Sequence, residues 1–326
     1  MVIMLRRLVH NQSVLIAGAM MILVACSAAD ALDVTTSTSS STSSVVTTST
    51  SSSTSTTSTS TTVPVTTTTL EVPAIDTPLT AVGQKDGAET ARVQQRLLDA
   101  GFWLSGVDGD YGLTTRQAVM AFQKWAGLEP SAKVDDATAA ALTAVTERPK
   151  PQTTDPGVVV EVDKTRQLLM VVNDTKLLWV INTSTGSGQW YLEQNQKDPN
   201  KWELGRSITD SGKFKIRRER SEGWWAGDLG EIYRPKYFNG GIAIHGSRSI
   251  PNYAASHGCV RVSVPAMDML WDSRMLPIGT RVWVYGDDVE AKNEKPTMPS
   301  TTTSTSTTTT LVPDTSAESS TTSVPG

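Results

Sequence analysis

Two Cys and three His in 326 residues leave little from which to build a disulfide framework or a metal cage. One of the Cys, Cys26, falls in an N-terminal leader, so Cys259 has no partner for a disulfide. His245, His257 and Cys259 are chemically able to ligate zinc, but no CxxC pair and no fourth ligand at the usual spacing accompany them. Charge of either sign is also scarce. Lys and Arg number 29 against 33 Asp and Glu, a formal net charge of −4. No global basic field points to nucleic acid. An apolar run over residues 14–25 is twelve long, short of the ~20 residues that a membrane span needs.

That run has the layout of an export signal, with Arg6 and Arg7 as its positive flank. It closes with Leu23-Val24-Ala25-Cys26, which resembles the bacterial lipobox. The resemblance implies lipidation of Cys26 and attachment to the outer leaflet of the plasma membrane. An ordinary signal peptide ending in a chance Cys is the alternative. Residues 1–26 are thus read as signal peptide and 27–77 as a disordered Ser/Thr-rich linker, too poor in apolar groups to offset its ordering entropy. A coil of about 40 residues spans ~35 Å on average, which suits a tether into a wall. Residues 288–326 repeat that composition and read as a second disordered tail.

Between these segments the pattern is globular. Over residues 78–147 three short helices are expected. The first, near 89–100, carries Val93 and Leu97 and ends at Gly101. A second starts at Thr114 with Gln117 as a capping box and carries Phe122 and Trp125. Asp135 caps the third. Asp108 and Asp110 invite a calcium reading, but the loop is short and lacks a distal Glu, so tight turns are preferred. Over residues 156–287 strand signals dominate, from Val158-Val159-Val160 through Arg281-Val282-Trp283. One helix follows Ser263, with Pro265 in its first turn. The fold class is therefore multidomain α and β, a small helical bundle followed by a mostly β sandwich.

The chemistry concentrates in Ile242-Ala243-Ile244-His245-Gly246 and Ser256-His257-Gly258-Cys259-Val260-Arg261. A thiol is a strong nucleophile once its proton is removed, and imidazole is suited to removing it. Both residues border strand-like alternations, and a loop containing Pro251 and Asn252 would return Cys259 to His245. Gly246 and Gly258 free the backbone where a substrate must approach. The plain alternative for a lone Cys is an inert small hydrophobe.

These stretches, with Ser184-Thr185-Gly186, Gly212-Lys213-Phe214 and Tyr237-Phe238-Asn239-Gly240-Gly241, resemble the YkuD-type L,D-transpeptidase catalytic domain. Val93-Gln94-Gln95-Arg96-Leu97-Leu98, Val107-Asp108-Gly109 and Phe122-Gln123 resemble the peptidoglycan-binding domain often appended to wall enzymes. The first resemblance implies Cys259 as nucleophile and His245 as base, held by a backbone carbonyl because Gly246 follows it. It also implies that Ser256, His257 and Gly258 shape the oxyanion hole through their N–H groups, together with that of Cys259. Arg261, Gly246 and Tyr237 are expected on the substrate side, Arg261 meeting a substrate carboxylate or making a structural ion pair.

The implied reaction forms 3→3 cross-links between peptidoglycan stem peptides through a thioester. It requires no metal or organic cofactor, and carbapenem β-lactams are expected inhibitors. Alternatives are an L,D-carboxypeptidase, a transferase that attaches a protein to peptidoglycan, and a catalytically silent wall-binding lipoprotein. The turn reads Thr209-Asp210-Ser211-Gly212 where the family has Thr-Pro-Thr-Gly. The segment containing Trp190, Tyr191 and Trp202 is either a lid or the cover of an edge strand. Of Trp224 and Trp225, at least one is expected in the core.

Overall fold

The computed structural model describes residues 70–299. Cys26, the leader and most of both Ser/Thr-rich segments lie outside these residues. Three helices come first, α1 (Ala88–Asp99), α2 (Leu113–Ala126) and α3 (Asp136–Ala144). Val93, Leu97, Phe122 and Leu142 are fully buried between them. Gly101 closes α1 at φ +87°, which lets its own N–H reach Leu98 O at 2.9 Å and that of Phe102 reach Leu97 O at 2.8 Å. Asp135 caps α3 by accepting from Thr138 N–H at 2.8 Å. In the 108–110 loop, the Gln94 side-chain oxygen accepts the N–H groups of Asp108 and Gly109 at 3.1 and 2.8 Å. The loop is a tight turn.

The capping box expected at Thr114 and Gln117 does not form. α2 begins at Leu113 without a side-chain cap. Thr114 Oγ1 pairs with Ser105 Oγ at 2.8 Å, and Gln117 Oε1 accepts from Asn182 Nδ2 at 2.6 Å. Partners brought by tertiary packing displace the local cap. Order also begins earlier than the composition suggests. Residues 70–77, expected in the linker, pack against the helices. Val72 is buried and its N–H reaches Thr146 O at 2.8 Å. The buried Arg96 guanidinium donates to Leu142 O and Thr143 O at 3.0 and 3.1 Å, and also to Pro73 O and Val145 O. A buried charge is tolerated when its donors are satisfied, and these four carbonyls clamp the segment to α3.

The rest of the described chain is a two-sheet sandwich. One sheet has the order β3-β2-β1-β12-β6, with β1 (Val158–Asp163), β2 (Leu168–Asn173), β3 (Lys176–Asn182), β6 (Gly212–Lys215) and β12 (Arg281–Tyr285). The other has the order β11-β10-β9-β7 with β8 also on β9. Its strands are β7 (Arg218–Glu219), β8 (Trp224–Gly227), β9 (Gly230–Asn239), β10 (Ile242–Ser247) and β11 (Val260–Ser263). β4 (Trp190–Gln194) and β5 (Trp202–Arg206) form a separate hairpin. α4 (Val264–Asp272), capped by Ser263 with Pro265 at its start, packs on the second sheet and sends Ala266, Met267 and Leu270 into the core.

Successive side chains of β2 go to different cores. Leu169 and Val171 join Val160, Ile244, Val260 and Met267 between the sheets, whereas Leu168, Met170 and Val172 join the helices. Burial on both faces explains why these strands read as unbroken apolar runs. The helical region therefore shares a core with the sandwich, reinforced where Val180 N–H reaches Gly101 O at 2.8 Å and Trp103 N–H reaches Val180 O at 3.0 Å. Lys124 Nζ adds a bond from α2 to Asn182 Oδ1 at 2.6 Å. Phe102 sits in this junction, fully buried, edge-on to Phe122 with centroids 5.4 Å apart. Phe102→Ala is expected to cost about 3–5 kcal/mol. Calorimetry should show one transition that moves down as a whole. Two separate transitions, only one of them shifted, would contradict a shared core.

Candidate active site

β10 and β11 run parallel, with Ile244 opposite Val260 and His245 opposite Arg261. Cys259 immediately precedes β11 and so arrives beside Ala243, near the start of β10. Its Sγ lies 3.8 Å from Gly241 O, and a backbone hydrogen bond from Ala243 is directed at the sulfur. Cys259 and His245 line one cleft of about 710 Å³, together with Ser256, His257, Arg261 and Tyr237. Gly246 and Gly258 do not line it.

His245 is 3% exposed, and its Nδ1 lies 2.8 Å from the carbonyl oxygen of Gly246. A carbonyl can only accept, so Nδ1 carries the proton and Nε2 is left as the basic nitrogen. Burial lowers the imidazole pKa to about 4, the nearby Arg261 charge acting in the same direction and the Gly246 bond opposing them. Burial likewise raises the Cys259 thiol, against the smaller pull of the Ala243 bond and of Arg261. Both shifts favour the neutral thiol and the neutral imidazole over a preformed ion pair. Among the described residues no hydrogen bond joins the His245 ring to Sγ, so the proton transfer geometry is completed by a bound substrate or by a small side-chain rotation.

Gly246, expected at the substrate, is buried instead. A Cβ there would meet Tyr233 Cδ1 at 2.8 Å, and the residue touches the chemistry only through its carbonyl. The expected oxyanion donors also need correction. Ser256 N–H is bound to Thr185 O at 2.9 Å, and Gly258 N–H to Ser256 Oγ at 3.0 Å. Ser256 Oγ in turn donates to Cys259 O at 2.6 Å. His257 and Cys259 N–H have no acceptor among the described residues and remain available. Gly258 stands at φ +134°, where a Cβ would lie 2.6 Å from Ile208 O, so the turn before the Cys requires glycine.

Thr209, the part of the altered turn that the family shares, supports this turn from below. Its hydroxyl donates to Gly258 O at 2.6 Å and accepts from Gly186 N–H at 2.9 Å. Arg261 makes no salt bridge among the described residues, so the ion-pair reading of it has no partner. The His257 ring meets Glu193 Oε1 at 2.9 Å and Tyr191 edge-on at 4.8 Å. Both partners come from the β4–β5 hairpin, which pairs with neither sheet and contributes Tyr191 to the cleft. It covers the site, not a sheet edge. Neither tryptophan of β8 is in the core. Trp225 lines the cleft under Arg220, and Trp224 lies under Arg248.

Sequence reasoning named Thr209 only as part of an altered turn, and it missed Glu193, Arg218 and Arg220. The hairpin alone left a signal, Asp198-Pro199-Asn200 between two Trp-headed stretches. Residues 288–293, expected in the tail, are bound to the base of that hairpin. Asn293 Oδ1 accepts from Trp190 N–H at 2.9 Å, and Gln189 Oε1 accepts from Lys292 N–H at 2.8 Å. Among the described residues no cluster of three or more His, Cys, Asp or Glu is placed to hold a metal ion. No helix among them is long and apolar enough to cross a membrane.

Cys259, His245 and Arg261 thus share one cleft with two free N–H groups, a set suited to nucleophilic acyl chemistry. Residues 157–284 match the L,D-transpeptidase catalytic domain, and residues 86–142 a peptidoglycan binding domain. The crystal structure of the L,D-transpeptidase (residues 123–326) from Xylanimonas cellulosilytica DSM 15894 is 45% identical. It covers 65% of this chain and 100% of its own, with a TM-score of 0.57. An L,D-transpeptidase from Stackebrandtia nassauensis is 21% identical over 65% of this chain and 98% of its own, with a TM-score of 0.38. Among curated proteins none matches the chain. The chain belongs to the L,D-transpeptidase family. It is a peptidoglycan enzyme of the cell wall with an N-terminal peptidoglycan-binding domain.

The neutral resting state has a direct consequence. Alkylation of Cys259 by iodoacetamide is expected to stay slow at pH 7 and to climb only above the ordinary thiol range near ~8.5. Arg261→Gln should move that rise to still higher pH, because it removes a charge that favours the thiolate. Fast alkylation at pH 6 would mean that the sulfur rests as a thiolate.

Proposed function

We propose that Cys259 and His245 carry the transpeptidation. The meeting of Cys259, His245 and the unpaired Arg261 in one cleft is the observation that supports this most. His245 Nε2 takes the thiol proton as Sγ attacks the carbonyl carbon of the third stem residue, a diamino acid. The resulting oxyanion is met by the N–H groups of His257 and Cys259. The C–N bond to the terminal D-alanine then breaks, and the departing amine takes its proton from the imidazolium. A thioester remains. The side-chain amine of a second stem attacks it, gives up its proton to His245 and displaces the sulfur, leaving a 3→3 cross-link.

Arg261 holds a carboxylate of the stem, for which it has no competitor among the described residues. Ser256 and Gly258 act through position, shaping the turn that presents the sulfur, and Tyr237 forms part of the wall against which the stem lies. The domain reading keeps a peptidoglycan-binding unit ahead of a catalytic unit, with outer limits widened to take in residues 70–77 and 288–293. Before them, residues 1–26 direct export, and lipidation of Cys26 anchors the chain to the outer leaflet of the plasma membrane. Carbapenems acylate the same sulfur, since their strained lactam carbonyl offers the electrophile of a stem amide in more reactive form.

Mass spectrometry of the purified protein with a carbapenem tests the assignment. Wild type should gain one covalent adduct and Cys259→Ala none, while His245→Ala should acylate about 10²–10⁴-fold more slowly. An adduct on Cys259→Ala would remove the sulfur from the mechanism. Because the folded imidazole has a pKa of about 4, the base stays unprotonated in mildly acid solution. The acid limb of the acylation rate should therefore fall near pH 4, not near the ordinary histidine value of ~6.5.

A further inference from the structure

The cleft holds more charge than the transfer chemistry uses, and its cations and acids are unequally matched. Asp228 pairs with Lys197 at 3.0 Å, Glu231 with Arg248 at 2.8 Å, and Glu203 accepts from Asn195 Nδ2 at 2.7 Å. Arg218 and Arg220 also line the cleft, yet neither forms a salt bridge among the described residues. They lie two residues apart along β7 and its extension, so their side chains leave on the same side. Glu219, between them, points away and is held by Lys236 at 2.7 Å.

Both guanidiniums are fixed in place. Arg218 stacks on Tyr237 with its guanidinium carbon 3.8 Å from the ring centroid, and Arg220 stacks on Trp225 at 4.0 Å. A stacked guanidinium keeps its edge donors free for a planar carboxylate while its face is occupied. Two such groups, already ordered and unmatched, lose little entropy when an anion arrives.

Their position relative to the sulfur follows from the register. Arg218 is opposite Tyr237 on β9, and Tyr237 is opposite Ala243 on β10. Two inter-strand steps of ~4.8 Å place Arg218 about 10 Å from Ala243, the residue whose backbone bond meets Cys259. The stem residue next to the reacting one lies ~3.5 Å away along an extended chain, and its own carboxyl-bearing arm and the arginine side chains span the remaining distance. A stem whose reacting carbonyl sits at the sulfur and whose chain runs across β10, β9 and β7 brings a second carboxyl group to the arginine pair.

We infer that Arg218 and Arg220 form a carboxylate-reading subsite that selects stem peptides whose carboxyl group before the diamino acid is free and not amidated. This rests on the stem-peptide reading of the cleft. A carboxamide offers one acceptor and an NH₂ donor where two guanidinium edges supply only donors, so the amidated stem leaves donors unpaired. Arg261 reads the carboxyl group nearest the reacting bond, and the stacked pair reads the distant one.

The test uses the full chain and two soluble stem peptides that differ only in that carboxyl, free in one and amidated in the other. Wild type is expected to turn over the free form with a KM about tenfold or more below that of the amidated form. The preference should shrink as salt is added, since exposed charge pairs are screened. Arg218→Gln with Arg220→Gln should raise KM for the free form and bring the two substrates together. Arg218→Lys with Arg220→Lys should restore part of the preference.

Carbapenem adduct formation by each variant shows that it is folded and that its sulfur reacts. Equal KM values for the two stems in wild type, or a preference that survives in a Gln variant able to form the adduct, would overturn the subsite. A wild type that forms no adduct and processes neither stem would instead overturn the proposed function.

Discussion

The parallel pairing of β10 with β11 is the constraint on which the rest of the site depends. Parallel strands require a long return, and here the return brings Cys259 to the start of β11 while His245 occupies the middle of β10. In that arrangement the thiol meets the N–H of Ala243 and the carbonyl of Gly241, and the imidazole stays inside. The turn ahead of the Cys closes only because Gly258 lacks a side chain and because Thr209 and Ser256 take up its polar groups. Burial then does the electrical tuning. Desolvation pushes the sulfur toward the thiol and the ring toward the free base, so neither partner is spent before a substrate carbonyl is present.

Outside this pair, the cleft is divided by function along the second sheet. The β10–β11 end carries the nucleophile, its base and Arg261. The β7–β8 end carries aromatic rings with cations laid over them. The β4–β5 hairpin joins the two, meeting His257 through Tyr191 and Glu193 and the β8–β9 turn where Lys197 pairs with Asp228, and the segment after β12 ties that hairpin down. Residues that never approach the sulfur thus decide what can lie beside it.

Much of this was readable before any coordinates, for identifiable reasons. β1 and β2 announced themselves because both faces are buried, which leaves apolar side chains at almost every position. His245 and Cys259 stood out because a rare residue type recurred beside glycines in strand-like settings. The hairpin and β8 were harder, since half-exposed strands do not alternate cleanly. The capping box at Thr114 failed because Gln117 found a partner 65 residues away, and no local rule could anticipate that. The spent N–H of Gly258 was invisible for a similar reason, as it depends on where the Ser256 hydroxyl turns. Arg218 and Arg220 left no mark in the sequence, since the rings beneath them come from other strands.

The common core between the helices and the first sheet bears on how the molecule meets its polymer. With Phe102, Leu168 and Val180 packed in one cluster, the bundle cannot swivel on the sandwich. Its grip on the wall and the mouth of the cleft keep one mutual angle and one separation. Such a body behaves like a gauge laid along a lattice: once the helices are seated, only those stems at the matching offset and orientation come within range of the sulfur.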